Sequence, residues 1–353
     1  MANRTALCIG INEYPGANRL SGCVADANSW GHFFAQMGFD VRLLTDRAAT
    51  QSAMLGQIQR IVTEAQSGDI VAVQYSGHGT KVRADDSMAG SNISAPKEGI
   101  VPVDFETEGI IVDHTLGPIF DSAKPGVAIN VFFDCCFSGD ATRLLAPTTA
   151  LARATDDPSV KARVMYLTDD MVRAHYAAEK RRAAARGGVS GTVVSNPRMR
   201  EVLFSASQPN QVSFESGGQG HFTRAAMSVV QQISVAGLTN TTFIQEVIAA
   251  MGSSGSFSSN VSSSSLSSQT PQLQTAPELL NARFLIPTTV VGTGTPGTAS
   301  GLTREDLLKI LFGATPVQPT PSPAQPSGAV TFDDLIAILN NASRAVRDAK
   351  HVS

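Results

Sequence analysis

Two apolar runs, each closed by glycine, constrain this chain more than any other feature. Val71-Ala72-Val73-Gln74-Tyr75 leads into Ser76-Gly77-His78-Gly79, and Val127-Ala128-Ile129-Asn130-Val131-Phe132-Phe133 leads into Asp134-Cys135-Cys136-Phe137-Ser138-Gly139. Both runs are rich in β-branched and aromatic residues, the composition of strands buried on both faces in a parallel sheet. Parallel neighbours bring their carboxyl ends to one edge, where open α/β folds place their sites. A histidine at one such end and a cysteine at the other is the pairing that thiol catalysis needs.

A thiol nucleophile requires a base to make thiolate, and donors to hold the oxyanion that develops on the attacked carbonyl. His78 is the candidate base. The backbone N–H groups of Gly79 and Cys136 are the candidate oxyanion donors, and glycine at 79 leaves room for a substrate to approach.

Around this pair the order of elements is that of an α/β protein. Strands are expected at Ala6–Asn12, Phe39–Leu44, Asp69–Tyr75 and Gly99–Val103, with helices at Asp26–Gly38, Thr50–Ala65 and near Leu116–Ala123. This βαβα rhythm implies a mainly parallel sheet flanked by helices. A strand at Val202–Ser207, helices at His221–Ile233 and Thr242–Met251, a serine-rich loop at Ser253–Ser268 and strand material in Gln272–Ile286 follow.

Residues 141–200 interrupt the pattern with Ala, Arg and Lys and read as an exposed linker, with a surface helix over Ala174–Ala185 as the plain alternative. Beyond Pro287 the composition turns to Thr, Gly and Pro. Two similar segments, 303–311 and 331–339, each carry a threonine N-cap and acids in the first turn, and a proline-rich spacer at 314–328 separates them. They read as two helices, either docked on the core or tethered as partner-binding elements.

Of the 353 residues, 42% are apolar and 16% charged, and the net charge is −3. That balance gives no reason to expect nucleic acid or a membrane surface as a partner. No apolar run reaches the roughly 18 residues needed to span a bilayer, and Ala6–Ile11 is too short for a leader. Four cysteines, two of them adjacent, do not make a disulfide framework, and a reducing cytoplasm is the expected setting.

The motif at 75–79 and the motif at 134–139 resemble the His and Cys motifs of caspase-like cysteine peptidases (clan CD, family C14), of the metacaspase and bacterial orthocaspase type. The resemblance extends through Leu20–Ala27, Val101–Thr107, Phe204–Ser207, Gly220–Thr223 and Gln269–Gln272, covering roughly residues 5–287 with several motifs in order. It implies a caspase-like α/β sandwich over 1–287, divided into a large-subunit-like part (1–140), a linker (141–200) and a small-subunit-like part (201–287). A linker at 288–302 and the helical extension at 303–353 follow.

By the same resemblance Cys136 is the nucleophile, His78 its partner, and Cys23, Asp26, Ser76 and Asp134 form the pocket for the residue before the scissile bond. Two carboxylates in a cleft favour arginine or lysine, arginine gaining from its forked geometry. The expected activity is that of an endopeptidase cutting proteins after Arg or Lys, self-processed or activated by another peptidase within 141–200. Arg153, Arg163, Arg182 and Arg186 are the candidate positions for that cut. The alternative is a catalytically silent scaffold that binds partners through its C-terminal helices.

Phe137 stands where metacaspases usually carry histidine. Calcium, which many metacaspases bind through four carboxylates, is disfavoured. Asp113 alone keeps its acid, His114 lies beside it, the other two positions fall at Lys97 or Glu98 and near Arg143, and Asp85 and Asp86 are the remaining acids. No metal or other cofactor is therefore expected.

Overall fold

The computed structural model describes residues 2–82, 97–137, 160–185, 199–208, 211–253 and 269–286. Its centre is a six-stranded sheet made of β1 (Arg4–Gly10), β2 (Asp40–Thr45), β3 (Ile70–Ser76), β7 (Ala128–Asp134), β9 (Glu201–Ser205) and β12 (Gln272–Gln274), in the order β12-β9-β7-β3-β1-β2. All neighbours are parallel except β12, which runs antiparallel to β9 at one edge. The expected α/β architecture with a mainly parallel sheet is the observed one.

Both faces of the sheet are covered, which is why its central strands carry apolar side chains in unbroken runs. Successive residues of β7 divide between the two faces. Phe132 packs with Trp30, Phe34, Phe204, Phe222 and Phe243 on one side, and Phe133 with Val73, Tyr75, Ile129 and Val131 on the other. Helices α1 (Cys23–Gln36), α6 (His221–Gln232) and α7 (Asn240–Ser253) lie on the Trp30 face. Helices α2 (Gln51–Glu64) and α4 (Asp113–Asp121) lie on the Phe133 face. Thr50 caps α2 by accepting a hydrogen bond from the Ala53 N–H at 3.2 Å.

Two small three-stranded sheets stand beyond the carboxyl edge. One has the order β4-β5-β6, from β4 (Gly79–Val82), β5 (Lys97–Ile100) and β6 (Ile111–Val112). The other has the order β11-β10-β8, from β8 (Lys161–Ala162), β10 (Phe214–Ser216) and β11 (Gln219–Gly220). Two short helices complete the set, α3 (Phe105–Glu108) and α5 (Asp169–Ala185). No helix among the described residues is long and apolar enough to cross a membrane.

The stretch expected to be an exposed linker is different where it is described. Residues 161–162 form β8, and residues 169–185 form α5, which covers the plain alternative of a helix at Ala174–Ala185. Helix α5 is fastened down: Arg181 and Arg182 donate to the carbonyl oxygens of Thr107 and Glu108, each at 2.8 Å. The Gln272–Ile286 stretch supplies only three strand residues, because a 3-10 turn at Pro277–Leu279 follows at once. The serine-rich loop, Arg153, Arg186 and the two C-terminal segments at 303–311 and 331–339 lie outside the described residues.

Candidate active site

Ser76 and Asp134 face one another in register on β3 and β7, so the two glycine-closed strand ends do meet. His78 follows β3 by two residues. Its Nε2 lies 2.6 Å from the Asn18 carbonyl oxygen. A carbonyl can only accept, so Nε2 carries the hydrogen and Nδ1 is left with the lone pair. Nδ1 is buried with no hydrogen-bond partner among the described residues. Burial pushes the His78 pKa down to about 4, which keeps the ring neutral near pH 7.

Two tyrosines hold the histidine loop. Tyr14 accepts from the His78 N–H at 3.2 Å and donates to the Val101 carbonyl at 2.8 Å. Tyr75 donates to the His78 carbonyl at 2.7 Å and accepts from the Val101 N–H at 3.2 Å. The Tyr14 ring stands 4.7 Å from the imidazole, centroid to centroid. The backbone N–H and carbonyl of His78 are thereby paired, which fixes the loop that carries the ring.

Cys135 packs into the apolar layer with Tyr75 and Phe133, and burial raises its thiol well above the ordinary range. Cys136 belongs to a separate cluster with Val164, Val212 and Phe214, and its thiol donates to the Gln211 carbonyl at 2.7 Å. The tandem cysteines thus face different surroundings, as strand alternation requires. Phe137 packs edge-on against Phe133, ring centroids 6.2 Å apart.

The two expected oxyanion donors converge on a single oxygen, the carbonyl of Arg163. The Gly79 N–H reaches it at 3.0 Å and the Cys136 N–H at 3.2 Å. A side chain at position 79 would run into the Cys136 carbonyl, so glycine is required by close approach.

The Arg163 side chain, expected on an exposed linker, is fully buried among carboxylates. Nη2 lies 2.6 Å from Asp26 Oδ2 and 3.2 Å from Glu215 Oε2. Nη1 lies 3.1 Å from Asp134 Oδ1 and 3.2 Å from the Asp134 carbonyl. Each acid is positioned by neutral donors. Asp134 Oδ2 accepts from the Thr223 N–H at 3.0 Å and from its hydroxyl at 2.7 Å. Asp26 accepts from the Gly220 N–H at 3.1 Å. Glu215 accepts from the Ser21 N–H at 2.7 Å, the Ser21 hydroxyl at 2.8 Å and the Gly22 N–H at 3.1 Å.

Burial lifts the Asp26 pKa to about 7, with Arg163 working against the rise. Burial would lift Glu215 too, but Arg163 and the Ser21 and Gly22 donors outweigh it and hold the carboxyl below its ordinary value. A guanidinium shared by three fixed carboxylates is the arrangement that makes a buried charge tolerable.

Of the four expected pocket residues, Asp26 and Asp134 meet the guanidinium. Cys23 instead turns its thiol to Glu215 Oε2 at 3.7 Å, and the Ser76 hydroxyl accepts from Gln74 Nε2 at 2.7 Å. Asp26 is not an N-cap, since α1 begins at Cys23 behind Gly22. Glu215 was not anticipated. Its sequence signal is an acid in the stretch Val212–Ser216, where the apolar Val212 and Phe214 alternate with polar residues and pack together in one cluster.

The acids near the expected calcium position are already matched by cations. Hydrogen bonds to Asp113 and Glu179 raise the His114 pKa to about 9, so the ring is an imidazolium between them. Lys81 Nζ lies 3.7 Å from Glu98 Oε1. Among the described residues no group of three His, Cys, Asp or Glu side chains is placed to hold a metal ion. This donor set does not fit calcium; Asp85, Asp86 and Arg143 lie outside the described residues.

A mainly parallel sheet with histidine and cysteine at adjacent strand ends and an acid-lined pocket between them defines the class, a caspase-like α/β fold. Residues 4–145 match the family model described as "Metacaspase, peptidase C14 domain". The chain is 29% identical over 251 residues to Metacaspase-1 of Saccharomyces cerevisiae (strain S288c), covering 63% of this chain and 57% of that one. It is 28% identical over 255 residues to Metacaspase-1 of Kluyveromyces lactis, covering 63% and 56%. It is 33% identical over 152 residues to Metacaspase-1 of Schizosaccharomyces pombe, covering 40% and 35%. The chain thus matches less than two thirds of the length of these relatives. A protein from Geobacter sulfurreducens with a crystal structure shares the fold, with a TM-score of 0.57 at 22% identity over 81% of this chain and 99% of that one. The chain is thus similar to metacaspase-type C14 peptidases, with the match to the family model confined to residues 4–145.

Proposed function

We propose that the protein is a cysteine endopeptidase that cleaves proteins after arginine, and less readily after lysine, through Cys136 and His78. One observation carries this reading. An arginine of the chain itself has its guanidinium on Asp26, Asp134 and Glu215 and its carbonyl oxygen on the N–H groups of Gly79 and Cys136. Side-chain recognition and carbonyl polarisation therefore meet in one residue.

In the reaction, His78 Nδ1 takes the Cys136 proton and the thiolate attacks the carbonyl carbon of the bound arginine. The oxyanion that forms is held by the Gly79 and Cys136 N–H groups. His78 then protonates the departing amine, and water hydrolyses the thioester. The Nε2 bond to Asn18 fixes the tautomer this sequence needs. An arginine gains over lysine here because its fork engages Asp134 on one nitrogen and Asp26 with Glu215 on the other. The chemistry runs on protein groups alone, without calcium, and the segment 141–200 is the region of self-processing.

Hydrolysis of an arginyl-amide reporter, its loss in Cys136→Ala, and its block by an arginyl chloromethyl ketone test the proposal. A scaffold without catalytic function would show none of the three.

A further inference from the structure

Between Ala128 and Phe133, strand β7 carries one polar side chain, Asn130. Alternation puts it on the same face as Phe132, and its neighbours in register are Ala72 of β3 and Val202 of β9. Asn130 is 4% exposed, and its amide makes no hydrogen bond to the described residues. A second asparagine, Asn240 at the start of α7, is 2% exposed. Its Nδ2 donates to the Leu279 carbonyl at 2.8 Å, which settles which end of that amide is the oxygen. Asn240 Oδ1 is buried with no hydrogen-bond partner among the described residues.

Both asparagines line one cavity of about 540 Å³ at the amino edge of the sheet, a volume that suits a small molecule. Ala128, Val202, Leu279 and Ile286 give it aliphatic walls. Its charged residues balance, with Asp121 and Glu278 against Arg200 and Arg283. Arg200 is already engaged, donating to the Asp121 and Ala123 carbonyls at 3.1 and 2.8 Å. Glu278 and Arg283 are both exposed and of opposite sign, so the cavity selects no ion by charge. What it offers instead are two buried amides, and buried polar groups as a rule find partners. One group within the chain's own bonds is Asn240 Nδ2. The bonding capacity of Asn130 and of Asn240 Oδ1 is turned toward whatever enters the cavity.

We propose that this cavity binds a small neutral molecule carrying an amino group beside an acceptor, as in a primary carboxamide or an amino-bearing nucleobase. One N–H of the amino group donates to Asn130 Oδ1 and the other to Asn240 Oδ1. The neighbouring acceptor, a carbonyl oxygen or a ring nitrogen, takes a hydrogen from Asn130 Nδ2. All three polar groups are then paired, and the aliphatic walls cover the flat faces of the ligand. A molecule with a carbonyl in place of the amino group would set oxygen against oxygen at both asparagines. The site stands at the foot of β7, six residues before Cys136 and so roughly 20 Å from it along the strand. It is independent of the peptidase reading.

Calorimetric titration of the full chain with cytidine, uridine, nicotinamide and nicotinate tests this. Cytidine or nicotinamide should bind one to one with a Kd of about 1 mM or tighter. Uridine and nicotinate, which lack the amino group, should bind at least about tenfold more weakly than their partners. Binding of cytidine alone marks a nucleobase site, and binding of nicotinamide alone a carboxamide site. Asn130→Val should weaken binding at least about tenfold, and it should raise the Tm of the ligand-free chain because valine suits a buried strand and leaves no amide unpaired. If Asn130→Val does not melt cooperatively, Ala282→Leu, which narrows the cavity and keeps both amides, should still weaken binding by a similar factor. No binding of cytidine or nicotinamide at about 10 mM overturns the proposal. So does equal binding of uridine or nicotinate, or binding unchanged in the variants. A Tm lowered by Asn130→Val in a cooperative melt would make Asn130 a structural residue and overturn it as well.

Discussion

The carbonyl oxygen of Arg163 lies 3.0 Å from the backbone nitrogen of Gly79 and accepts its N–H. This contact couples the β3 end to the segment after the cysteine motif. It also makes the roles of the surrounding side chains separable by substitution.

Cys136→Ala should abolish arginyl-amide hydrolysis without reducing Tm by more than a few degrees, because the loss of one buried sulfur costs about 1 kcal/mol. Cys135→Ala should keep most of the activity, since Cys135 sits in the apolar layer under Tyr75 and Phe133. Rates and melting curves of the two variants, side by side, check this. An inactive Cys135→Ala with an active Cys136→Ala would reassign the nucleophile.

In an Arg163→Ala background, which removes the resident guanidinium, Glu215→Gln and Asp134→Asn should each lower kcat/KM for arginyl substrates, by about 2 kcal/mol or roughly thirtyfold, because each leaves one arm of the substrate's fork without its charge partner. Glu215 touches only Nη2 of the fork. A lysine substrate, lacking that second arm, should lose less in Glu215→Gln, so the arginine-to-lysine ratio should fall. Steady-state kinetics on matched arginyl and lysyl reporters measure both effects.

The contributions of His78 and His221 to stability should fall as pH drops below about 6.5, opposed by Asp26, whose raised pKa of about 7 favours the folded chain toward lower pH. His78 and His221 are both pushed down to about 4 by burial, so between those values the unfolded chain takes up protons that the folded chain refuses. For His78 alone the loss from pH 7 to pH 5 is about 2 kcal/mol. Urea unfolding of Cys136→Ala at pH 7 and pH 5 reads it, and adding His78→Gln should flatten the slope. An unchanged slope would mean that His78 titrates normally in the folded chain.

Chelation of calcium should leave the activity of Arg163→Ala within about twofold, since a calcium site needs several free carboxylates. Here His114 and Lys81 already neutralise the nearest ones. Reporter rates with excess chelator and with added calcium decide the matter, and a strict requirement for the ion would contradict it.

The strand ends were readable because their information is local. An apolar run, a glycine and one reactive side chain place His78 and Cys136 on a common edge, and an acid next to the cysteine places Asp134. Glu215, Tyr14 and Asn18 were not readable, because each acts across the fold: Glu215 bonds to Ser21, 194 positions away. Arg163 was misplaced for the opposite reason. Its Ala- and Arg-rich surroundings have the composition of a solvated linker, and only tertiary pairing to β10 and Gly79 makes a two-residue strand of Lys161 and Ala162 and buries Arg163 behind it. Composition reports what a segment can expose, whereas a cleft selects what it can bind.

The central claim, arginine-directed proteolysis through Cys136, is tested most directly by mapping cut sites. An unfolded protein mixture would be digested with the Arg163→Ala chain and the new termini sequenced by mass spectrometry. The account predicts cuts predominantly after arginine, a minority after lysine, and none with Cys136→Ala in the same background. Cuts after aspartate or without preference, or the same cuts from the Cys136→Ala chain, would contradict it.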